Sequence, residues 1–143
     1  MGDWTLRPAT AADVDAVAEL RAVVMRPDLE RLGRYDEHRV RQRLRERWVP
    51  EDNQVIEVGG VFGGNVALRL DEDGHWLENF YLDPSVQGRG VGSAVLEQVL
   101  SECDSRVRLQ VLQGSPARRL YERHGFTAYA EDAVDVWMVR QPR

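Results

Sequence analysis

The sequence predicts a mixed α/β domain, and three observations predict it. Apolar residues alternate at period two in several short runs, they recur at steps of three and four in others, and the two kinds of segment follow the order β-α-α-β-β-β-α-β-α-β. No internal repeat and no long Pro/Ser-rich linker interrupts that order, so one domain spanning 1–143 is expected. A chain of 143 residues can bury a core without disulfides or a metal. Its 43% apolar and 30% charged residues are the composition of a chain that folds.

The first strand is expected over residues 4–7, closed by Pro8. Thr10 then offers a helix N-cap, with Asp13 as the acid of a capping box. Val14, Val17, Ala18, Leu20 and Val24 recur at helical spacing from about residue 11, and Pro27 is expected to stop the helix. Over 36–48, Val40, Leu44 and Trp48 fall at steps of four. Arg39, Arg41, Arg43, Arg45 and Arg47 fill the other faces of this second helix as a solvated surface. Residues 54–58 and 61–70 read as strands joined by the Gly59-Gly60 pair, which favours a tight hairpin because glycine tolerates positive φ.

Asp71-Glu72-Asp73-Gly74 reads as a turn, and 76–82 as the next strand, ended by Asp83-Pro84. After a glycine-rich segment, Val91, Ala94, Val95, Leu96, Val99 and Leu100 define a helix of at least three turns, and Val107, Leu109 and Val111 alternate as a strand. Pro116 suits the first turn of a further helix carrying Ala117, Leu120 and Tyr121, with Gly125 placed to close it. Residues 134–139 alternate again and give the last strand.

Composition removes several functions. The formal charge of -5 leaves no basic footprint for nucleic acid. All 19 basic residues are arginine, so no lysine exists to form a Schiff base or a phosphate-loop contact. Cys103 is the only cysteine, and His38, His75 and His124 show no ligand spacing, so neither a disulfide nor a metal site is expected. Cys103 falls toward the end of an apolar helical pattern, where a packed thiol is commoner than a nucleophile. No run of roughly 18 apolar residues occurs and the N-terminus lacks an export pattern, so no membrane contact and a cytoplasmic location are expected.

The segment Gln87-Gly88-Arg89-Gly90-Val91-Gly92 stands between a strand and a helix. Unpaired N–H groups and the positive end of the helix dipole favour a phosphate in front of such a turn. Gly88, Gly90 and Gly92 let a pyrophosphate approach the main chain, and Arg89 adds a charged donor. The Walker loop is excluded because it needs a lysine. The dinucleotide fingerprint is excluded because Ser93 stands where its third glycine belongs.

These residues resemble the acetyl-CoA signature of the GNAT superfamily of N-acetyltransferases, Gln/Arg-x-x-Gly-x-Gly/Ala, through Gln87, Gly90 and Gly92. Ala117-Arg118-Arg119-Leu120-Tyr121-Glu122-Arg123-His124-Gly125-Phe126 resembles the second signature of the same family, Ala-x-x-Leu-Tyr-x-x-x-Gly-Phe. The resemblance implies a central, mostly antiparallel sheet flanked by about four helices, and acetyl-CoA as cosubstrate. It also implies direct transfer of the acetyl group, in a ternary complex, to a primary amine of a small molecule, peptide or protein. Homodimers are common in that family.

The same resemblance assigns the site. Gln87 to Ser93 would hold the pyrophosphate, and main-chain groups of Phe80 and Leu82 would pair with the pantetheine arm. The Leu82 N–H would lie near the thioester oxygen. The family often has an asparagine just before the second signature, and Ser115 stands at that position here. Tyr121 is the family's usual acid, protonating the departing thiolate. Glu78 is the candidate base or substrate contact, since spacing puts it on the face of Phe80 and Leu82 and burial would tune it. His75 and Asp83 are weaker candidates for the base, and a water chain would also serve. A non-catalytic module that binds acetyl-CoA and regulates a partner, and a nucleotide-binding protein of another fold, are the competing readings. Trp48, Tyr35, Arg34 and Trp137 lie in the segments where an acceptor would bind, without a recognisable code.

Overall fold

A computed structural model describes residues 3–142. The elements are β1 (Trp4–Pro8), α1 (Val14–Arg31), α2 (Glu37–Glu46), β2 (Asn53–Val58), β3 (Val61–Asp71), β4 (Gly74–Leu82), α3 (Val91–Ser101), β5 (Val107–Leu112), α4 (Ala117–Arg123), β6 (Thr127–Glu131) and β7 (Asp135–Arg140). Short 3₁₀ turns form at Ala11–Asp13 and Pro50–Asp52. Hydrogen-bonded strands run in the order β1-β2-β3-β4-β5-β7-β6. The β1–β2, β2–β3, β5–β7 and β6–β7 pairings are antiparallel, and β4–β5 is parallel. The mixed α/β class, the mostly antiparallel sheet and the four flanking helices agree with the sequence. No helix among the described residues is long and apolar enough to cross a membrane.

The chain packs as two compact units. One runs up to Ala67 and takes in Asn79–Val91; the other holds Leu68–Glu78 and everything from Gly92 on. In the first, Val17, Ala18 and Leu20 of α1 pack with Leu44 of α2 and Tyr81 of β4, edged by Val14, Val24, Met25, Trp48 and Phe62. The Thr10 N–H donates to Asp13 Oδ2 at 2.7 Å, one arm of the predicted box. Asp36 caps α2, its Oδ1 accepting from the N–H groups of His38 and Arg39. Gly59 and Gly60 sit at φ 61° and 79° between the paired ends Val58 and Val61, the geometry of a two-residue hairpin turn.

Two expectations in this unit change. Pro27 does not stop α1, which continues to Arg31. Proline removes the bond to the carbonyl four residues back, that of Val23, and the helix carries on past this one missing bond on a side where Val23 is 53% exposed. Nor is the arginine run merely solvated. Arg41 makes a two-pronged pair with Glu19 at 2.8 and 3.1 Å, and Arg45 reaches Asp15 at 3.1 Å, joining α2 to α1.

In the second unit the alternation of β5 holds: Val107, Leu109 and Val111 are buried, and opposite them in register stand Arg140, Met138 and Val136 of β7. Cys103 is buried at the end of this helical region, as a packed thiol. The strand β6 was not anticipated. Every residue of Thr127–Glu131 is exposed, so no apolar alternation marks it, and it pairs only with β7 at the end of the strand order.

Candidate active site

The last part of β4 departs from regular strand. Asn79 has φ 50°, the one non-glycine residue in the left-handed region among the described residues. It stands between Glu78 and Phe80, at the point that the expected same-face alternation of Glu78, Phe80 and Leu82 has to cross. A polar network surrounds it. Asn65 is fully buried on β3 and gives both Nδ2 hydrogens away, to Asn53 Oδ1 at 2.9 Å and to the Asn79 carbonyl at 3.0 Å. Asn53 Nδ2 donates to the Val49 carbonyl at 2.8 Å, and Asn79 Nδ2 reaches Asn53 Oδ1 at 3.4 Å. These are the chain's only asparagines. Tyr81, two residues on, donates its hydroxyl to Asn79 Oδ1 at 3.4 Å and accepts from Arg21 Nη1 at 2.7 Å.

Beyond Leu82 the chain turns on Asp83. Its N–H donates to the Gly63 carbonyl at 2.8 Å, and its Oδ1 accepts from the Ser85 N–H and hydroxyl, which hold the carboxyl below the usual carboxylate range. An ionised carboxylate so engaged is a turn former rather than a base. Gln87 folds back, donating Nε2 to the Leu82 carbonyl at 2.9 Å, so two of the predicted site residues are in direct contact. Gly88 and Gly90 take φ 77° and 80°, and a Cβ at either would meet no atom within 4 Å. The main chain of that turn is open to approach, and α3 begins at once with Val91, followed by Gly92 and Ser93. Arg89 is exposed, its Nη1 3.4 Å from the Ser85 carbonyl.

The remaining candidates lie in the second unit. Glu78 is not buried as anticipated: its side chain is 36% exposed, and Arg69 grips both carboxylate oxygens at 3.0 Å. Beside it Trp76 packs against the guanidiniums of Arg69 and Arg108, 5.9 and 4.6 Å from their carbons, and donates Nε1 to Asp71 at 2.7 Å. The β4–β5 register consists of His75↔Val107 and Trp76↔Arg108 and extends no further. His75 is engaged with Cys103 and Ser105 through Nδ1.

Ser93 hydrogen-bonds His124 Nε2 at 2.9 Å, joining the start of α3 to the end of α4. Burial pushes the His124 pKa down, Glu97 opposes this, and Arg123 and Arg140 add to it. Ser115 accepts from the Ala117 N–H at 3.2 Å at the start of α4. Tyr121 is buried, its ring edge-on to Phe126 at 5.9 Å, and its carbonyl accepts from the N–H groups of His124 and Phe126. Gly125, at φ 90°, closes α4 as predicted.

A family model described as an acetyltransferase (GNAT) domain matches residues 45–128, more than half of the chain. The chain belongs to the GNAT acetyltransferase family. The solved structures it resembles share the fold. The PaiA N-acetyltransferase of Thermoplasma acidophilum, in complex with coenzyme A, superposes with a TM-score of 0.75 at 18% identity, covering 96% of this chain and 98% of that one. Ard1 of Thermoplasma volcanium gives 0.70 at 24% identity, covering 96% and 97%. The ribosomal-protein-S18-alanine N-acetyltransferase of Escherichia coli gives 0.71 at 20%, covering 96% and 92%. No curated protein matches the sequence.

In this GNAT acetyltransferase the sequence reading missed Arg21, Asn53, Asn65, Asn79 and Tyr81. A signal for three of them was present. Asparagine is depleted in strands, yet all three asparagines fall in segments read as strands or at their edge. Arg21 left no comparable mark among 19 arginines. The described residues contain no cluster of three or more groups that could hold a metal ion.

Proposed function

We propose that this chain transfers the acetyl group of acetyl-CoA directly to a primary amine within a ternary complex, and that residues 1–143 act as one acetyltransferase domain. The observation that carries this reading is the Gln87–Gly90 turn. Its glycines are left-handed, its main chain is open, and it stands immediately before α3. A diphosphate fits there because the orphan N–H groups and dipole of the helix start favour negative charge, and no side chain fills the approach. In this reading Gln87, Gly88, Arg89, Gly90, Val91, Gly92 and Ser93 hold the pyrophosphate, and Ser115 adds a further polar contact. Main-chain groups of Phe80 and Leu82 align the pantetheine arm as an added strand. As the family resemblance implies, the Leu82 N–H lies near the thioester oxygen in this reading.

Tyr121 gives its phenolic proton to the departing thiolate as the C–S bond breaks and the new N–C bond forms. The amine's proton leaves to water, and water returns a proton to the Tyr121 phenolate to close the cycle. Arg69 holds both carboxylate oxygens of Glu78, so we assign Glu78 to fixing Arg69 beside Trp76 rather than to the base.

The test is an acetyl-CoA turnover screen over amino acids, peptides, polyamines and aminoglycosides, with Gly90→Glu as control. That variant puts a carboxylate at a left-handed position facing the phosphates, and should weaken acetyl-CoA binding by on the order of a hundredfold. Undiminished binding would remove the phosphate-site assignment. Binding without turnover of any amine would favour the regulatory module.

A further inference from the structure

In the first unit the arginines that face neighbouring elements meet carboxylates: Arg7 meets Asp13 and Glu57, Arg41 meets Glu19, and Arg45 meets Asp15. Arg21 does not. It stands on α1 between buried Leu20 and Ala22, one turn after Val17 and Ala18, on the side that packs against the core. Its hydrogen-bond acceptor is the phenol of Tyr81, at 2.7 Å, and its guanidinium lies 6.0 Å from that ring. A phenol orients a guanidinium and leaves its charge uncancelled. Arg21 Nε is shut away from solvent and has no hydrogen-bond partner among the described residues. The two acids nearest on the same helix, Glu19 and Asp15, are already bound by α2.

A half-buried cation without a counter-ion is destabilising, and an apolar side chain of similar volume would pack the same space at lower free energy. A ligand anion supplies what the protein does not. Tyr81, the residue that positions Arg21, lies between Phe80 and Leu82. The Arg21–Tyr81 bond therefore ties α1 to the stretch of β4 at which the acetyl group is presented in the reading above.

We infer that Arg21 is the anchor for a carboxylate carried by the acceptor, so that the substrate class is amines bearing an acid group near the amine. The Arg21–Tyr81–Asn79 chain then fixes the acceptor's acid end to the same left-handed residue that shapes β4, with the charge of the guanidinium as the attraction. This inference rests on the acetyl-transfer reading.

The experiment compares α- and ω-amino acids with the corresponding amino-acid amides as acceptors, for the wild type, Arg21→Gln and Arg21→Lys. The wild type should favour acids over amides by about ten- to a hundredfold in kcat/KM, carried mainly by KM. Arg21→Gln should bring the ratio to unity, and Arg21→Lys should restore part of it. A wild-type ratio of unity, or a preference that survives Arg21→Gln in a protein with an unchanged far-UV spectrum, overturns the assignment. A calorimetric arm separates this from the reaction itself by titrating N-acetyl amino acids and their amides into the CoA-saturated protein. If the acids bind through Arg21 while no amine is turned over, the transfer reading fails and the anion anchor stands. If neither acid nor amide binds, the anchor falls.

Discussion

The two halves of β4 are built on different principles. From Gly74 to Glu78 the strand behaves as its sequence pattern says. Leu77 is buried, His75 and Trp76 pair in register with β5, and the exposed face carries a ladder of ion pairs about Trp76. From Asn79 to Leu82 the strand is held by amides. A left-handed residue interrupts the extended backbone, and buried Asn65 fixes its carbonyl. Apolar burial tolerates small shifts along a strand, whereas a hydrogen-bonded amide network fixes one geometry. The half that needs one geometry is the half beside the proposed thioester.

The largest effect should come from the regular half. Leu77→Ala should lower unfolding free energy by about 2–4 kcal/mol in urea titration, with KM for acetyl-CoA unchanged. If KM also rises severalfold, the two halves are not separable. Next, Asn65→Ala takes the Asn65 amide from the Asn79 carbonyl and leaves Asn53 Oδ1 only its longer contact with Asn79 Nδ2. It should lose about 2–3 kcal/mol and lower kcat at temperatures where the protein remains folded.

Asn79 sharpens the comparison further. Asn79→Val places a β-branched residue at φ 50° and should destabilise by about 2 kcal/mol, while Asn79→Gly keeps the backbone and should stay within about 1 kcal/mol. Equal losses for the two would show that the side chain, rather than the left-handed turn, is what matters. The smallest effect concerns His124. Its pKa is lowered in the folded state, so the unfolded chain binds the proton more readily. Stability should be full above about pH 6.5 and should decline as pH falls through the folded value, a slope that His124→Gln should flatten in pH-dependent melts.

Much of this architecture was legible in the residues. Val40 and Leu44 are buried one turn apart on α2, Val107, Leu109 and Val111 alternate inward on β5, and the Gly59-Gly60 pair turns the hairpin as read. What escaped had no periodic signal. The strand β6 is wholly exposed, so neither face of it carries an apolar mark. Pro27 is a local rule outweighed by the packing of the rest of α1. At the site, Gln87 and Leu82 were singled out together and do touch. Glu78 was singled out for a burial that its pairing with Arg69 across the hairpin replaces. Arg21 and Tyr81 are 60 positions apart, and no short-range pattern joins them.

The ion pairs between α1 and α2 act as a ruler. Arg41 and Arg45 are four apart on one helix, Glu19 and Asp15 four apart on the other, and they meet in antiparallel order. A slip of one helical turn would leave one pair made and one broken, and any smaller slip would break both. Two exposed contacts of little energetic weight thus define discrete stops for α1 along its neighbour, and with them the reach of every side chain α1 carries toward the sheet.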